Sequence, residues 1–243
     1  MSATAAQPSK ESSVASEHYN RPSRFRFLRS WSARIGLAML VVLLLIAILG
    51  PYFAPHLPDD IVGAPYGPNS AETPLGTDFL GRDALSRILN GGRSLFLLSV
   101  LATLVAYVIG LPAGLVAGYK GGRLDTVIMR CVDFLLAFPP LLFLLLISTG
   151  THASIIALVL SAGFILAPSL ARIVRAAVLD VAHRSYVEAA ITRGERTGRI
   201  LRREIMPNIL GPVLADAGLR LTYAILLIAG MNFLGLGLQP PQS

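Results

Sequence analysis

The sequence predicts an all-α integral membrane protein with five membrane-spanning helices. Of its 243 residues, 53% are apolar and only 14% are charged, whereas an average soluble domain has about a quarter charged residues. Several uncharged stretches reach the roughly 20 residues that a helix needs to cross a bilayer. The single cysteine, Cys131, excludes a disulfide scaffold.

Five apolar stretches are assigned as spans. The first is too long for the 7–15-residue core of a secretory signal peptide, so a cleaved signal is disfavoured. The stretch from Phe134 to Ala171 has no charge for 38 residues, too long for one helix, so we expect two, with a bend at Pro139–Pro140 and a turn at 148–152. The predicted spans are residues 35–53, 94–118, 130–148, 153–172 and 208–234.

Three polar segments flank or join these spans. Residues 1–33 are Ser/Ala-rich and basic at their end, which predicts a disordered tail. Residues 54–93 should form an external loop with a short amphipathic helix at about 80–90, capped by Thr77–Asp78 and closed by Gly91–Gly92. That helix could lie on the membrane surface or pack as an ordinary loop helix. Asp83 and Arg87 within it have the i,i+4 spacing of an ion pair.

Two patterns inside the spans are candidates for packing or function. Gly110, Gly114 and Gly118 recur every four residues, which permits close helix packing, and Pro112 between them predicts a kink. Asp216 and Arg220 lie within the last span, where an ionisable residue is a functional candidate by default. Their i,i+4 spacing favours a mutually neutralising structural pair, and a role in a transport pathway stays open.

The distribution of basic residues predicts the orientation. Seventeen of the 21 Lys and Arg residues lie on one side, in the tail, the turn at 118–133 and the arginine-rich segment from Arg172 to Glu204. The positive-inside rule places this side, with the amino terminus, in the cytoplasm. The net charge of +7 therefore reflects membrane topology, and we expect no nucleic-acid partner.

Enzyme signatures are missing from the sequence. It has no HExxH, GxxxxGK[ST] or GxSxG motif, and its four histidines lie in different polar segments. We therefore predict no catalytic residue, no metal site and no cofactor. The predicted cytoplasmic loop, residues 173–207, is the informative region. Its small residues Ala189 and Ala190, followed by a break at Gly194, suit a helix docked in a partner's groove, whereas its basic charge also suits attraction to anionic lipid.

Several motifs resemble one family. Glu188-Ala189-Ala190 with Gly194 resembles the "EAA" loop of permease subunits in binding-protein-dependent ABC importers. Further segments are similar to dipeptide, oligopeptide and nickel permeases, and the likeness covers about residues 30–241. These segments are residues 74–87 (Pro-Leu-Gly-Thr-Asp-x-Leu-Gly-Arg-Asp-x-Leu-Ser-Arg), 121–125 (Gly-Gly-Arg-Leu-Asp), 137–139 (Ala-Phe-Pro), 205–208 (Ile-Met-Pro-Asn) and 233–241 (Phe-Leu-Gly-Leu-Gly-x-Gln-Pro-Pro).

The resemblance implies a multi-pass subunit of the bacterial inner membrane with no ATPase activity of its own. It implies four partners besides the bilayer: a second homologous permease, two ATP-binding subunits and an external substrate-binding protein. Peptides are the expected substrate, with nickel or another small solute as the alternative. A self-sufficient channel or secondary transporter is disfavoured because no repeat is visible. The implied ATPase-coupling residues are Tyr186, Glu188, Ala189, Ala190, Arg193 and Gly194.

The sequence also departs from the family pattern. Members usually continue past the Gln-Pro-Pro motif into an outer loop and a sixth span, so we expect this chain to carry five helices of a six-helix permease fold. Residues 228–230 (Ile-Ala-Gly) occupy a region where the family often has an acidic residue.

Overall fold

A computed structural model of the chain describes residues 31–150 and 154–235. These residues form eight α-helices and only isolated β-bridges, numbered here in chain order. A π-helical turn, Leu201–Ile205, joins the last two helices. The helices are α1 (Trp31–Phe53), α2 (Ala84–Lys120), α3 (Gly122–Leu136), α4 (Pro140–Gly150), α5 (Ile155–Ala182), α6 (Ser185–Thr192), α7 (Thr197–Ile200) and α8 (Met206–Phe233).

The chain divides into two compact units between Leu44 and Leu45. The described part of the first unit, residues 31–44, is the first half of α1, and its side chains from Ile35 to Leu43 are exposed. Exposed apolar side chains are expected on a span that faces lipid. A helix can stand in lipid because its backbone N–H and C=O groups are hydrogen-bonded to one another.

Four helical stretches are long and apolar enough to span a membrane. They comprise most of α1, all of α2, all of α5 and the continuous run from α7 through α8. A fifth span results if α3 and α4, which are bent by 81° about the break at residues 137–139, are counted together. The all-α membrane fold predicted from the sequence is therefore confirmed, and the predicted bend at Pro139–Pro140 is found there.

The second unit is built around α2, α5 and α8. The carboxyl ends of α2 and α5 and the start of α8 lie at one end, called the arginine-rich end below. Loop 54–83 precedes α2 at the opposite end, the loop end. Two core clusters fill the space between the helices: one includes Ala102, Leu144, Ile165 and Ile228, and the other includes Val174, Val178, Ile205 and Ile209.

The separate helix predicted at residues 80–90 is wrong in its boundaries. Instead, α2 runs without interruption from Ala84 to Lys120, through Gly91–Gly92 and Pro112. Its amino-terminal cap is Asp83, not the predicted Thr77–Asp78. Packing supports the helix near the glycines, because a Cβ at Gly50 in α1 would lie 2.6 Å from the carbonyl oxygen of Leu89. The helix therefore continues through two residues of weak helix propensity, next to a close contact with α1.

Helix α5 extends to Ala182, ten residues beyond the predicted end at 172. The charged stretch from Arg172 to Glu204 is predicted to be helical, and in α5 its residues Val174, Val178 and Val181 are buried in one stripe. This 3.6-residue periodicity keeps the segment helical. Parts of three predictions lie outside the described residues: most of the tail predicted at 1–33, residues 151–152 of the turn predicted at 148–152, and the end of the motif at 233–241. Residues 148–150 belong to α4, and Trp31, assigned to the tail, begins α1.

Candidate functional site

Helix α6 carries the Glu188-Ala189-Ala190 motif and lies at the arginine-rich end. Its first turn is fixed by hydrogen bonds from the backbone nitrogens of Val187 and Glu188 to the carbonyl oxygen of Arg184, at 2.9 and 3.1 Å. The chain turns at Gly194, whose φ of +74° is a left-handed conformation that glycine adopts without strain. The Gly194 nitrogen donates to Ile191 O at 2.9 Å, which closes the turn. The left-handed backbone conformation of this turn therefore accounts for a glycine at position 194.

The two faces of α6 have different environments. Val187 and Ala190 are fully buried in the cluster where α6 meets α5, α7 and the π-helical turn. Glu188 and Ala189 are exposed, and Ile191 on the same side is 52% exposed. The structure therefore divides the predicted coupling residues: Glu188 and Ala189 are available to another protein, whereas Ala190 holds α6 to its own chain.

The remaining residues of this motif region flank the exposed face. Tyr186 is half-buried against the core cluster. Arg193 is exposed, and its Nε and Nη2 donate to Oε1 of Glu195 at 3.1 and 2.9 Å. A Cβ at Gly194 would meet no atom within 4 Å, so the surface is open there. The face formed by Glu188, Ala189, Ile191, Arg193 and Gly194 is called the α6 surface below.

The segment after α6 is anchored by two buried residues. Ile200 and Ile205 are 1% and 0% exposed, and they pack into the same cluster as Val187. Arg202 and Arg203 lie between these two buried residues, in the π-helical turn, and both are exposed. The exposed arginines of this segment are Arg196, Arg199, Arg202 and Arg203.

The three glycines at four-residue spacing lie where α2 meets α5. A Cβ at Gly110 would be 2.6 Å from Ala167 O, and one at Gly114 would be 2.5 Å from Ala171 O. At Gly118 the nearest atom would be Cβ of Val178, at 2.8 Å. Any side chain here would separate the two backbones. The glycine row thus sets the distance between the two helices that form most of the bundle core.

Asp216 and Arg220 form a buried ion pair within α8, with side chains 5% and 4% exposed. Arg220 Nη2 lies 2.8 Å from Asp216 Oδ1. Arg220 Nη1 also donates to Leu166 O at 3.0 Å and to Ser169 Oγ, both on α5. The pair is therefore hydrogen-bonded within this chain and ties α8 to α5.

At the loop end, residues 54–83 form an ordered turn region around Arg82. Its backbone nitrogen donates to Asp78 Oδ1 at 2.9 Å, and its Nε donates to Asp78 Oδ2 at 3.0 Å. Arg87 Nη1 lies 2.5 Å from Asp78 Oδ2. Gly76 and Gly81 have φ of +74° and +78°, and a Cβ at either would collide with a carbonyl oxygen of the loop. These contacts account for the glycines and charges of the segment 74–87.

Electrostatics favour the ionised form of Asp78. Burial raises its pKa, but hydrogen bonds from the Arg82 backbone, the Arg87 side chain, the Leu80 backbone and the Arg82 side chain outweigh burial and lower it from 3.8 to about 2. The pKa of Asp83 is also lowered. Burial raises this pKa, but hydrogen bonds from Ser86 and from the Leu85 backbone lower it by more.

Two ion pairs between α3 and α5 were not identified from the sequence. Arg175 binds Asp125 through two contacts of 2.5 and 2.6 Å, and Arg172 Nη2 lies 2.5 Å from Asp133 Oδ1. The partners are 50 and 39 residues apart, so no local spacing could reveal them. Within residues 31–150 and 154–235, no group of three His, Cys, Asp or Glu side chains could hold a metal ion.

Comparison with known proteins places these features in a family. Residues 110–243 match the family described as binding-protein-dependent transport system inner membrane component. Residues 22–74 match the N-terminal TM domain of oligopeptide transport permease C.

Individual proteins are similar over nearly the whole chain. The dipeptide transport system permease protein DppC of Bacillus subtilis (strain 168) is 36% identical over 228 residues, which cover 92% of this chain and 70% of that protein. The protein of the same name from Haemophilus influenzae is 34% identical over 224 residues, which cover 89% of this chain and 76% of that protein.

Proposed function

The chain belongs to the binding-protein-dependent transport system inner membrane component family, and on that premise we propose that it is the transmembrane subunit of an ATP-driven importer of di- or oligopeptides. As a multi-pass inner membrane protein it would form half of the translocation path. A second, homologous permease would supply the other half, and an external binding protein would deliver the substrate. The peptide substrate is inferred from the names of the two dipeptide permeases.

The observation that carries the coupling mechanism is the division of α6 into a buried and an exposed face. Val187 and Ala190 anchor the helix to the end of α5 and to α7 and the π-helical turn, which begin the span that contains α8, while Glu188 and Ala189 face outwards. A force applied to the α6 surface is thus transmitted directly to two spans. Separate ATPase subunits could bias the permease between two states only through contacts that differ between those states. The α6 surface is the contact that we propose for them.

This assignment fixes the proposed orientation. The arginine-rich end would lie in the cytoplasm, together with the amino terminus, because Lys and Arg concentrate on cytoplasmic loops. Loop 54–83 would then face the binding protein outside the cell. The exposed arginines after α6 would lie near the anionic inner leaflet, where each contributes roughly 1 kcal/mol of attraction to lipid.

Replacing Gly194 tests the role of the turn. Gly194→Val forces a β-branched residue into a left-handed conformation, so we expect transport to be lost while membrane insertion stays normal. Gly198→Val is the matched control, because Gly198 lies in α7 with open space around it and without a positive φ. Uptake of a labelled dipeptide and the amount of protein in the membrane are measured for both. Normal uptake by Gly194→Val would refute the assignment.

Cross-linking tests the proposed partner directly. In a Cys131→Ser background, Ala189→Cys presents one thiol on the α6 surface, and Ile61→Cys presents one at the loop end, where Ile61 is 75% exposed. We expect a thiol cross-linker to join only the first variant to an ATP-hydrolysing chain of the same complex. Copurification without any ATPase, with solute flux retained, would instead favour a self-sufficient channel or secondary transporter. Unlabelled dipeptide and nickel are then added in turn as competitors of labelled dipeptide uptake. Inhibition by the dipeptide alone supports the peptide substrate.

A further inference from the structure

A charged cleft of about 630 Å³ lies between α3 and α5 at the arginine-rich end. Its volume falls within the roughly 300–1,000 Å³ of small-molecule sites. Two carboxylates and three guanidiniums line it, so it has both signs of charge and a surplus of one positive charge. The charged lining residues are Asp125, Arg130, Asp133, Arg172 and Arg175.

These charges lie on α5, which is a candidate membrane span, and on α3, which is part of one if it is counted together with α4. Arg172 is ten residues before the end of α5, and Asp133 is three residues before the end of α3. The side chains of this pair are 56% and 62% exposed. Exposed ionised groups near the end of a membrane-spanning helix face water or another protein, because hydrocarbon does not solvate them. Another face of α3, with Val127 and Phe134 exposed, is apolar and suits lipid or a protein contact.

One pair in the cleft can exchange partners at low cost. An exposed ion pair adds little stability, so the Asp133–Arg172 contact can open when a ligand offers equivalent charges. The guanidinium of Arg130 lies in the same cleft and has no ion-pair or hydrogen-bond partner in the part of the chain that the structure describes. An arginine binds a carboxylate through two parallel hydrogen bonds. The cleft can therefore bind one carboxylate of a ligand through an arginine. Its aspartates can bind an ammonium group of the same ligand nearby.

We propose that the α3–α5 cleft lines the aqueous path of the importer and binds the two charged termini of a peptide as it passes. The ammonium terminus would contact Asp133 or Asp125, and the carboxylate terminus would contact Arg130 or Arg172. Binding is weak because the protein's own ion pairs compete, which suits a path that must release its cargo. This inference rests on the proposed peptide importer and names a subsite within it.

The first measurement is thiol accessibility in the complete importer, in inside-out membrane vesicles. With Cys131→Ser as background, Thr126→Cys places a thiol in the cleft, and Val127→Cys places one on the apolar face of the same helix. A charged methanethiosulfonate reagent should modify Thr126→Cys faster, because a thiol reacts as the thiolate, which forms where water reaches it. Met129→Cys serves as a second cleft position if Thr126→Cys does not assemble. Equal rates on both faces would overturn the aqueous assignment.

The second measurement is protection by ligand. L-alanyl-L-alanine should slow modification of Thr126→Cys, whereas N-acetyl-alanyl-alanine amide, of similar size but without terminal charges, should not. Asp133→Asn and Arg172→Gln should each raise the half-protecting concentration about tenfold, since each removes a charge-assisted hydrogen bond. Arg123→Gln, on α3 but outside the cleft, should leave it unchanged. Equal protection by both compounds, or none by either, would overturn the subsite.

The two proposals fail separately. Uptake of L-alanyl-L-alanine by the wild-type importer, measured alongside, tests the proposed function. Uptake without protection would reject the cleft as a binding site and leave the importer assignment intact. If neither uptake nor protection occurred for any di- or tripeptide supplied with the binding protein, the peptide-importer assignment itself would be wrong.

Discussion

Arg220 binds Asp216 one helical turn away, with Nη2 2.8 Å from Oδ1 and Nε 3.2 Å from Oδ2, and neither side chain is more than 5% exposed. The same guanidinium reaches Leu166 O and Ser169 Oγ on α5. A charged pair so enclosed is neutralised within the chain. We infer that it holds α8 against α5 and does not contact the substrate.

Removing one partner or both should therefore have different effects. Asp216→Leu leaves a buried guanidinium without its carboxylate, a cost of about 3–5 kcal/mol, and should sharply lower the melting temperature in detergent. The double variant Asp216→Leu/Arg220→Leu removes both charges and should be the more stable of the two, with transport retained. A double variant that melts normally but transports nothing would instead give the pair a role in the pathway.

Gly114 provides a test of helix packing. Gly114→Ala would place Cβ 2.5 Å from Ala171 O and 2.6 Å from Val174 Cβ, so α2 and α5 must move apart, at a cost of about 1–3 kcal/mol. Gly218→Ala in α8 meets no atom within 4 Å and should gain up to about 1 kcal/mol from helix propensity. Thermal unfolding of the two purified variants measures the contrast. Equal melting temperatures would show that α2 and α5 are not in close contact in the membrane.

The neighbours Ala189 and Ala190 separate folding from coupling. Ala190→Leu forces a larger side chain into a fully buried position, so we expect a destabilised protein with α6 displaced and sensitive to protease. Ala189→Leu enlarges an exposed position, so stability should stay within about 0.5 kcal/mol while binding of the ATPase subunits weakens. Protease sensitivity and copurification of the ATPases are the two measurements. Full ATPase binding by Ala189→Leu would remove this residue from the proposed contact.

Asp78 predicts a pH dependence at the loop end. Because its pKa falls from 3.8 to about 2 in the folded chain, its contribution is complete above about pH 4 and disappears as pH falls through 2. With screening at this partly exposed site, the contribution is on the order of 1–2 kcal/mol. Wild type should therefore exceed Asp78→Asn in stability at pH 5, and the difference should vanish near pH 2. A difference that stays constant over this range would contradict the assigned pKa.

The extent of each helix shows where sequence reasoning was sufficient and where it was not. The apolar stretches of α1 and α8 were located to within a few residues, because burial in lipid requires a run of apolar side chains whatever the neighbours are. The carboxyl end of α5 at Ala182 is not located by the sequence, because charges mark the end of an apolar stretch at 172 but not the end of a helix whose Val174 and Val178 pack against α2 and α8.

The candidate site shows the same division. The motif residues Glu188, Ala189 and Gly194 could be selected from the sequence, since a small-residue helix ended by glycine is a local pattern. That Ala190 faces inwards depends on how α6 packs against α5 and the segment that follows it. That Asp125 and Asp133 meet Arg175 and Arg172 depends on contacts 50 and 39 residues apart in the chain. Such contacts leave no local periodicity to read.

By itself, the sequence determined that this chain is an all-α membrane protein whose basic residues gather at one end, because hydrophobic length and charge asymmetry are properties of each segment alone. Only the tertiary structure decided which residues of the α6 motif are free to meet a partner, and which charges form the α3–α5 cleft. Those properties arise from close packing between different segments, which decides which side chain is buried and which is exposed.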